Sequence, residues 1–253
     1  QSHRPSQPAL ALVLLATLLG GAARASEIVG GRAAQPHSRP GSDGGGGPAL
    51  GLMGEAQSCP GSDGGGGPVL GLMPMALVKV VLGAHNLRNA EPSQQKFSVT
   101  RQFSNNYDPE LKHNDILLLQ LDRPANLTAQ VTVAQLPEQD QLLPHGTQCL
   151  AMGWGRLGTM EPLPQVLQEL NVTVVTFLCR PENVCTFVPR RKAGICFGDS
   201  GGPLICDGVL QAVDSFLVRE CANRQYPDFY ARVALYVDWI QSVLRSVGGE
   251  GSP

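Results

Sequence analysis

Short apolar runs separated by turn-forming residues dominate the chain from residue 78 onward. Alternating or continuous apolar stretches occur at 78–82, 97–103, 116–121, 166–175 and 209–218, with Gly, Pro, Asn and Asp between them. Such runs are typical of β-strands in an all-β protein. A helical period occurs only near the end, where the apolar positions are Val233, Tyr236, Val237, Ile240, Val243 and Leu244. The pattern therefore predicts a barrel or sandwich of many strands, followed by one amphipathic helix.

The first 25 residues have the pattern of an export signal. Arg4 precedes an apolar run at 9–19, and small residues on either side of Arg24 form an A-x-A cleavage pattern that ends at Ala25. Neither this run nor any later one reaches the roughly 18 to 20 apolar residues that a membrane-spanning helix requires. We expect residues 1–25 to be removed and to stay outside the fold of a soluble mature protein.

Residues 41–77 differ in composition from the rest of the chain. They contain 13 glycines and four prolines but no aromatic residue, which is unsuited to ordinary strands. Residues 40–53 recur at 60–73 with a single change, Ala49 to Val69. Folded repeats usually differ more in sequence and need about three copies for stability. We interpret this stretch as translated non-coding or duplicated DNA, with a genuine linker as the alternative.

The charge balance argues against a general attraction to nucleic acid or acidic membranes. The whole chain has a formal charge of −2, and residues 28–253 contain 17 Lys and Arg against 20 Asp and Glu, giving −3. The one basic run, at 190–192, is interpreted as a solvated loop rather than a polyanion site.

Seven cysteines in an exported chain predict an oxidising compartment and a disulfide framework with one thiol left over. Six of them lie in the C-terminal half, and only Cys59 lies outside it. Two N-glycosylation sequons, at Asn126 and Asn171, also fit the secretory pathway. No cofactor and no metal ion are expected.

The strongest chemical motif is the octapeptide Cys-Phe-Gly-Asp-Ser-Gly-Gly-Pro at 196–203. Its glycines let the backbone turn sharply around Ser200, so that backbone N–H groups can converge on one point. Acyl transfer places negative charge on the former carbonyl oxygen, and the N–H groups of Gly198 and Ser200 would stabilise it. The motif predicts a serine nucleophile with an oxyanion hole.

The octapeptide resembles that of the chymotrypsin/trypsin family of serine endopeptidases, and the resemblance extends to other stretches. Ile-Val-Gly-Gly at 28–31 matches the mature amino terminus of the family, so residues 26–27 would be a short propeptide. In the family the new ammonium group lies beside the aspartate before the nucleophile, which implies a pair between Ile28 and Asp199. Asn-Asp-Ile-Leu-Leu at 114–118 matches the strand with the triad aspartate, so Asp115 would orient the base.

The resemblance implies an all-β, chymotrypsin-like fold of two antiparallel β-barrels with a C-terminal helix. The barrels would occupy residues 28–140 and 141–232, with the first barrel disrupted by the glycine-rich segment at 41–77. The helix would occupy 233–246, followed by a disordered tail at 247–253. The family pattern also implies three disulfides, which pair Cys149 with Cys206, Cys179 with Cys185, and Cys196 with Cys221.

Further stretches resemble the neutrophil elastase/myeloblastin group, which implies a substrate pocket for small aliphatic side chains. Gly194, six residues before Ser200, would lie at the base of this pocket, where an acid would instead select Lys or Arg. The other implied pocket residues are Ile195, Ser215, Phe216, Leu217 and Asp228. Protein substrates and serpin-type inhibitors are the implied partners. The implied location is the extracellular space or the lumen of a neutrophil granule.

The histidine that the family uses as its base has no counterpart in the chain. It should lie upstream of Asp115, where the family's Ala-Ala-His-Cys segment would coincide with the glycine-rich residues 41–77. His37 and His85 resemble non-catalytic family positions. His113 lies two residues from Asp115 on the same strand and cannot stand between that carboxylate and the serine.

Two functions follow from this combination. The first is a secreted serine endopeptidase whose activity, in the chain as written, is impaired by the missing base. The second is a catalytically inactive, azurocidin-like binding protein, although a charge of −3 lacks the basicity of such proteins.

Overall fold

The computed structural model of the chain describes residues 12–15, 29–34 and 78–249. These residues form eleven β-strands, a 3-10 helix at Val233–Leu235 and an α-helix, α1, at Val237–Gly249. In chain order the strands are β1 (Leu12–Leu15), β2 (Arg32–Ala33), β3 (Lys79–Leu82), β4 (Gln95–Ser104), β5 (Leu117–Leu121), β6 (Gln148–Gly153), β7 (Gln168–Val175), β8 (Asn183–Phe187), β9 (Pro203–Cys206), β10 (Val209–Phe216) and β11 (Asp228–Arg232). The predictions for the propeptide and the glycine-rich segment lie outside the described residues.

Six strands of the C-terminal half close into an antiparallel barrel. Their order is β7-β6-β9-β10-β11-β8, and β8 pairs back onto β7. Alternate residues of these strands fill the interior, where Leu170, Leu204 and Tyr230 are almost completely buried. The short strand β2 adds to the outside edge of this arrangement at β7. The predicted C-terminal β-barrel is therefore present, with its strands between Gln148 and Arg232.

The N-terminal half forms an open antiparallel sheet within the described residues. Its four strands have the order β1-β5-β4-β3. Val80, Phe97 and Leu119 pack into the core on one face of this sheet. The predicted all-β architecture with a C-terminal helix is therefore confirmed, and disruption of the first barrel by residues 41–77 stays a prediction.

Strand β1 lies inside the predicted export signal, a segment expected to stay outside the fold. It pairs antiparallel with β5, so that Leu12 lies opposite Gln120 and Leu15 lies opposite Leu117. Removal of residues 1–25 stays a prediction. Before any such removal, residues 12–15 of the predicted export signal belong to the N-terminal sheet.

A third core joins the two halves and buries one face of α1. It combines Leu118 of β5 and Leu210 of β10 with Ile240 and Val247 of the helix. The helix ends at Gly249, three residues beyond the predicted end at 246, and its first predicted turn is the 3-10 helix. The predicted disordered tail therefore begins inside α1, because the apolar stripe of the helix continues to the buried Val247.

Disulfides cross-link strands and loops of the C-terminal half. They join Cys149 to Cys206, Cys179 to Cys185, and Cys196 to Cys221, the pairing that the family pattern implies. In the part of the chain that the structure describes, no helix has the length and apolar character needed to cross a membrane.

Replacing Ile240 by alanine should lower the free energy of unfolding by about 2–5 kcal/mol. The side chain is 2% exposed and fills the core between the halves, and alanine favours a helix, so the loss would come from packing. Denaturant unfolding followed by tryptophan fluorescence measures this change. The control is Leu142→Ala, at a side chain that is 76% exposed, which should shift stability by less than about 0.5 kcal/mol. Equal effects of the two variants would contradict the shared core.

Candidate active site

The loop around Ser200 has a backbone that only glycine accommodates at several positions. Gly198 and Gly201 have φ values of +97° and +88°, which side chains disfavour. A Cβ on Gly202 would lie 2.7 Å from the Met152 carbonyl oxygen and 2.8 Å from the Asp199 carbonyl oxygen. The glycines of the octapeptide therefore hold the loop in a turn that other residues would distort.

The backbone of Asp214 in β10 fixes this loop against the barrel. Gly201 N–H donates to the Asp214 carbonyl (2.9 Å), and Asp214 N–H donates to the Gly202 carbonyl (2.8 Å). Gly202 N–H closes the turn by donating to the Asp199 carbonyl at 2.7 Å. These bonds leave the N–H groups of Gly198 and Ser200 without an acceptor among the described residues.

The Ser200 side chain lies half-buried at the surface of this turn. Its hydroxyl makes no hydrogen bond to any residue within the described ranges. The loop therefore presents a hydroxyl and two backbone donors together, which is the arrangement expected for a nucleophile beside an oxyanion hole.

Asp199 is 1% exposed and fixes the base of the loop with its carboxylate. One oxygen accepts from Gly155 N–H at 3.0 Å and the other accepts from Cys196 N–H at 2.8 Å. The predicted partner Ile28 lies outside the described residues. The next residue, Val29, is buried and exchanges two backbone hydrogen bonds with Gly194, at 2.8 and 3.0 Å. The chain after Ile28 is therefore held against the pocket segment that leads to Asp199.

Asp115, two residues before β5, is 1% exposed and faces the C-terminal barrel. Its Oδ2 accepts a hydrogen bond from the hydroxyl of Ser215 at 2.5 Å. Ser215 lies at a shift in register between β10 and β11, where a bulge changes the direction of a side chain. The sequence placed Ser215 only in the pocket, and its contact with Asp115 emerges from the packing of the two halves.

The described histidines lie in other places. The backbone of His85 accepts from Trp154 Nε1 at 3.2 Å and belongs to a turn. Nε2 of His113 lies 3.0 Å from a carboxylate oxygen of Glu182. Nδ1 of His145 lies 3.4 Å from the Thr176 hydroxyl. None of these three rings bonds to Ser200, and His37 is outside the described residues.

The predicted pocket residues converge around Gly194 and Asp228. Ile195 N–H donates to Asp228 Oδ2 at 2.9 Å, and a Cβ on Gly194 would lie 2.4 Å from the same oxygen. The ring of Phe216 stacks on that of Phe229, with centroids 4.5 Å apart. Leu217 packs partly buried against the cluster that contains Ile195. The structure therefore brings the sequence-predicted pocket residues into one region, with a carboxyl group in contact with its glycine.

Two buried carboxyl groups in this region favour their neutral forms. Burial raises the pKa of Asp228 to about 7, against the lowering effect of its bond with Ile195 N–H. Burial also raises the pKa of Asp214 well above its ordinary value, with further contributions from the charges of Asp228 and Asp115. The Oδ1 atom of Asp214 has no hydrogen-bond partner among the described residues. A sequence clue to this group existed, because Asp214 interrupts the apolar strand 209–218.

The described residues contain no group of three His, Cys, Asp or Glu side chains arranged to hold a metal ion.

Comparison with known proteins places these features in a family. The trypsin family profile matches residues 73–240, beginning at the last residue of the glycine-rich repeat. Mouse neutrophil elastase is 51% identical over 255 residues, covering 96% of this chain and 92% of that protein. Human azurocidin is 40% identical over 242 residues, covering 95% and 96%. A solved structure of human heparin binding protein has a TM-score of 0.72 at 36% identity, covering 86% of this chain and 97% of that one.

Asp228→Asn should flatten the dependence of stability on pH. In the folded protein Asp228 keeps its proton up to about pH 7, whereas in the unfolded chain it loses the proton near its ordinary pKa of 3.8. Between these two pH values the unfolded chain therefore gains stability relative to the folded one. The free energy of unfolding should therefore fall as the pH rises from about 4 to 7, by up to about 4 kcal/mol from this group. Asparagine can still accept the Ile195 N–H bond but cannot ionise.

Chemical denaturation at a series of pH values measures this slope. The control is Asp207→Asn, which removes an exposed carboxylate at a positive φ that asparagine also tolerates, and it should keep the slope of the parent chain. If the free energy of unfolding of D228N fell with pH as steeply as that of the parent chain, the assignment of a raised pKa to Asp228 would be refuted.

Proposed function

This chain belongs to the trypsin family, and we propose that it is a secreted serine endopeptidase of the elastase/myeloblastin type. It would cleave proteins after small aliphatic residues through an acyl-enzyme on Ser200. The observation that supports this most strongly is the loop in which the Ser200 hydroxyl lies beside two backbone N–H groups that lack an acceptor among the described residues.

In the proposed reaction, the Ser200 oxygen attacks the carbonyl carbon of the peptide bond and its proton passes to a base. The carbonyl oxygen becomes an oxyanion, which accepts hydrogen bonds from Gly198 N–H and Ser200 N–H. When the intermediate collapses, the carbon–nitrogen bond breaks and the amine leaves with the proton. Water then hydrolyses the ester on Ser200 and releases the second product.

The base is the part of this reaction that the chain as written lacks. Asp115 would orient an imidazole and stabilise it when it is protonated, with its own carboxylate positioned by Ser215. The segment that would supply the imidazole coincides with residues 41–77, which contain no histidine. Losing a member of such a triad costs about 10⁶-fold in rate, or about 8 kcal/mol of barrier. We therefore propose that the chain as written is impaired.

The proposed preference for small aliphatic residues depends on the size and charge of the pocket. The close approach of Asp228 to Gly194 leaves little depth for a long side chain. Because the pKa of Asp228 is raised to about 7, a neutral carboxyl group predominates below that pH and does not attract Lys or Arg. Ile195 and Leu217 supply apolar surface. Discrimination by one methylene group in such a pocket amounts to about 1–3 kcal/mol.

Processing and secretion complete the proposal. The new amino terminus at Ile28 would place an ammonium group beside Asp199, next to the backbone bonds that Val29 makes with Gly194. Asn126 and Asn171 are exposed, which supports glycosylation of both sequons. Serpin-type inhibitors and protein substrates would be the partners. The granule lumen or the extracellular space would be the location.

A second candidate is an inactive binding protein of the azurocidin type. It is favoured by the absence of a bond between Ser200 and any described histidine, and by the similarity to human azurocidin. The formal charge of −3 for residues 28–253 argues against it as a binder of heparin-like polyanions.

The chain as written, processed at Ile28, should not be labelled at Ser200 by a fluorophosphonate probe and should not hydrolyse a valine peptide at an enzymic rate. Its hydrolysis rate should equal that of the Ser200→Ala control, because a hydroxyl without a base is a weak nucleophile. Mass spectrometry of the labelled peptide and a peptidase assay measure both. Rapid labelling that S200A abolishes would show that another group acts as the base.

Restoring the base should restore the proposed activity. We expect a chain in which residues 41–77 are replaced by the corresponding segment of mouse neutrophil elastase to label at Ser200. It should also cleave after valine at least about 10²-fold faster than after lysine. A restored chain that stays unlabelled would refute the endopeptidase, and preferred cleavage after lysine would refute the pocket. Sequencing the transcript across codons 40–78 shows which form the organism makes.

A further inference from the structure

Strand β5 is buried on both of its faces. Leu118 is 0% exposed and packs into the core shared with the C-terminal barrel and α1. Leu117 and Leu119, which alternate with it, are 3% and 0% exposed and pack into the core of the N-terminal sheet. The only remaining directions for the strand are its two hydrogen-bonding edges.

One of these edges is taken by β4 and the other by β1. At the first edge, β5 pairs antiparallel with β4, so that Phe103 lies opposite Leu118 and Ser104 lies opposite Leu117. The other edge pairs with Leu12–Leu15 in an antiparallel register of four residues. Without β1, the N–H and C=O groups along that side of a buried, leucine-rich strand would have no strand to pair with among the described residues.

We propose that this edge of β5 is an acceptor site for an extended apolar peptide strand, occupied in the uncleaved chain by residues 12–15. The kind of peptide that fits follows from β5 itself. Its main-chain groups would supply the affinity through hydrogen bonds, and its leucine-rich surroundings would select apolar side chains. Residues 9–19 contain no charged residue, and neither does β5. Removal of the export signal would open the site to another strand of the same kind.

The proposal is independent of catalysis, since it needs neither Ser200 nor a base. It also means that cleavage of the predicted export signal would change the number of strands in the N-terminal sheet. The N-terminal sheet would have four strands before cleavage and three after it, among the described residues.

The test uses two proline variants of the full, refolded chain, Val13→Pro and Leu14→Pro. Adjacent residues of a strand direct their N–H groups to opposite sides, so only one of these two prolines removes an N–H that faces β5. The other proline lies at an N–H on the outer edge, where proline is tolerated. The two variants differ in composition only by a leucine against a valine, so each controls the other for nonspecific adhesion of the leader.

Hydrogen exchange read by mass spectrometry and NMR reports on the alternate β5 amides that do not bond to β4. We expect these amides to be protected in the parent chain and to exchange at least about tenfold faster in one proline variant than in the other. Amides of β6 and β7 in the barrel should be unchanged in both, which shows that the variants have folded. Equal exchange of the β5 amides in both variants, or no protection in the parent chain, would overturn the proposal.

A cut after Ala25 at an engineered protease site provides a second measurement. The released leader should co-elute with the folded chain in gel filtration, and it should dissociate in the proline variant that exposes β5. A leader that separates at once from the parent chain would contradict the acceptor site. Co-elution that is equal in both proline variants would show adhesion without strand pairing and would overturn it as well.

Discussion

The hydrogen bond from the Ser215 hydroxyl to the Asp115 carboxylate is the contact on which the site depends. Asp115 belongs to the N-terminal half and Ser215 to the C-terminal barrel, and both are almost fully buried. A buried carboxylate without a partner would cost several kcal/mol, so this contact fixes how the two halves meet. The core around Leu118, Leu210 and Ile240 keeps water away from it and holds the interface in place. The loop around Ser200 is hydrogen-bonded to Asp214 of β10, the strand that also contains Ser215.

The barrel positions the chemistry through backbone geometry more than through side chains. Positive φ values at Gly198 and Gly201, and the lack of space for a Cβ at Gly202, make the turn around Ser200 possible. Asp199 satisfies the N–H groups of Gly155 and Cys196 beneath the turn. The N–H groups of Gly198 and Ser200 have no acceptor among the described residues, which is what the proposed oxyanion hole requires.

The N-terminal half differs from the C-terminal barrel in how its strands pair. Among the described residues it forms an open sheet of four strands, in the order β1-β5-β4-β3. Residues 12–15, which lie inside the predicted export signal, pair with one edge of β5, where main-chain groups beside a buried strand need partners. The sequence of residues 41–77 contains no histidine, and the proposal of an impaired base depends on that composition.

Local sequence properties were enough to predict the strand-rich class, the terminal helix and the serine motif, because periodicity and glycine spacing can be read without knowing which residues meet. The missing histidine and the pocket at Gly194 were inferred from resemblance and stay predictions. The folded structure was needed to show that Ser215 contacts Asp115, that Asp228 and Asp214 are buried with raised pKa values, and that Leu12–Leu15 pairs with β5. These features depend on which distant residues meet and exclude water. A carboxyl group's ionisation and a strand's partner are set by that environment, which no local pattern contains.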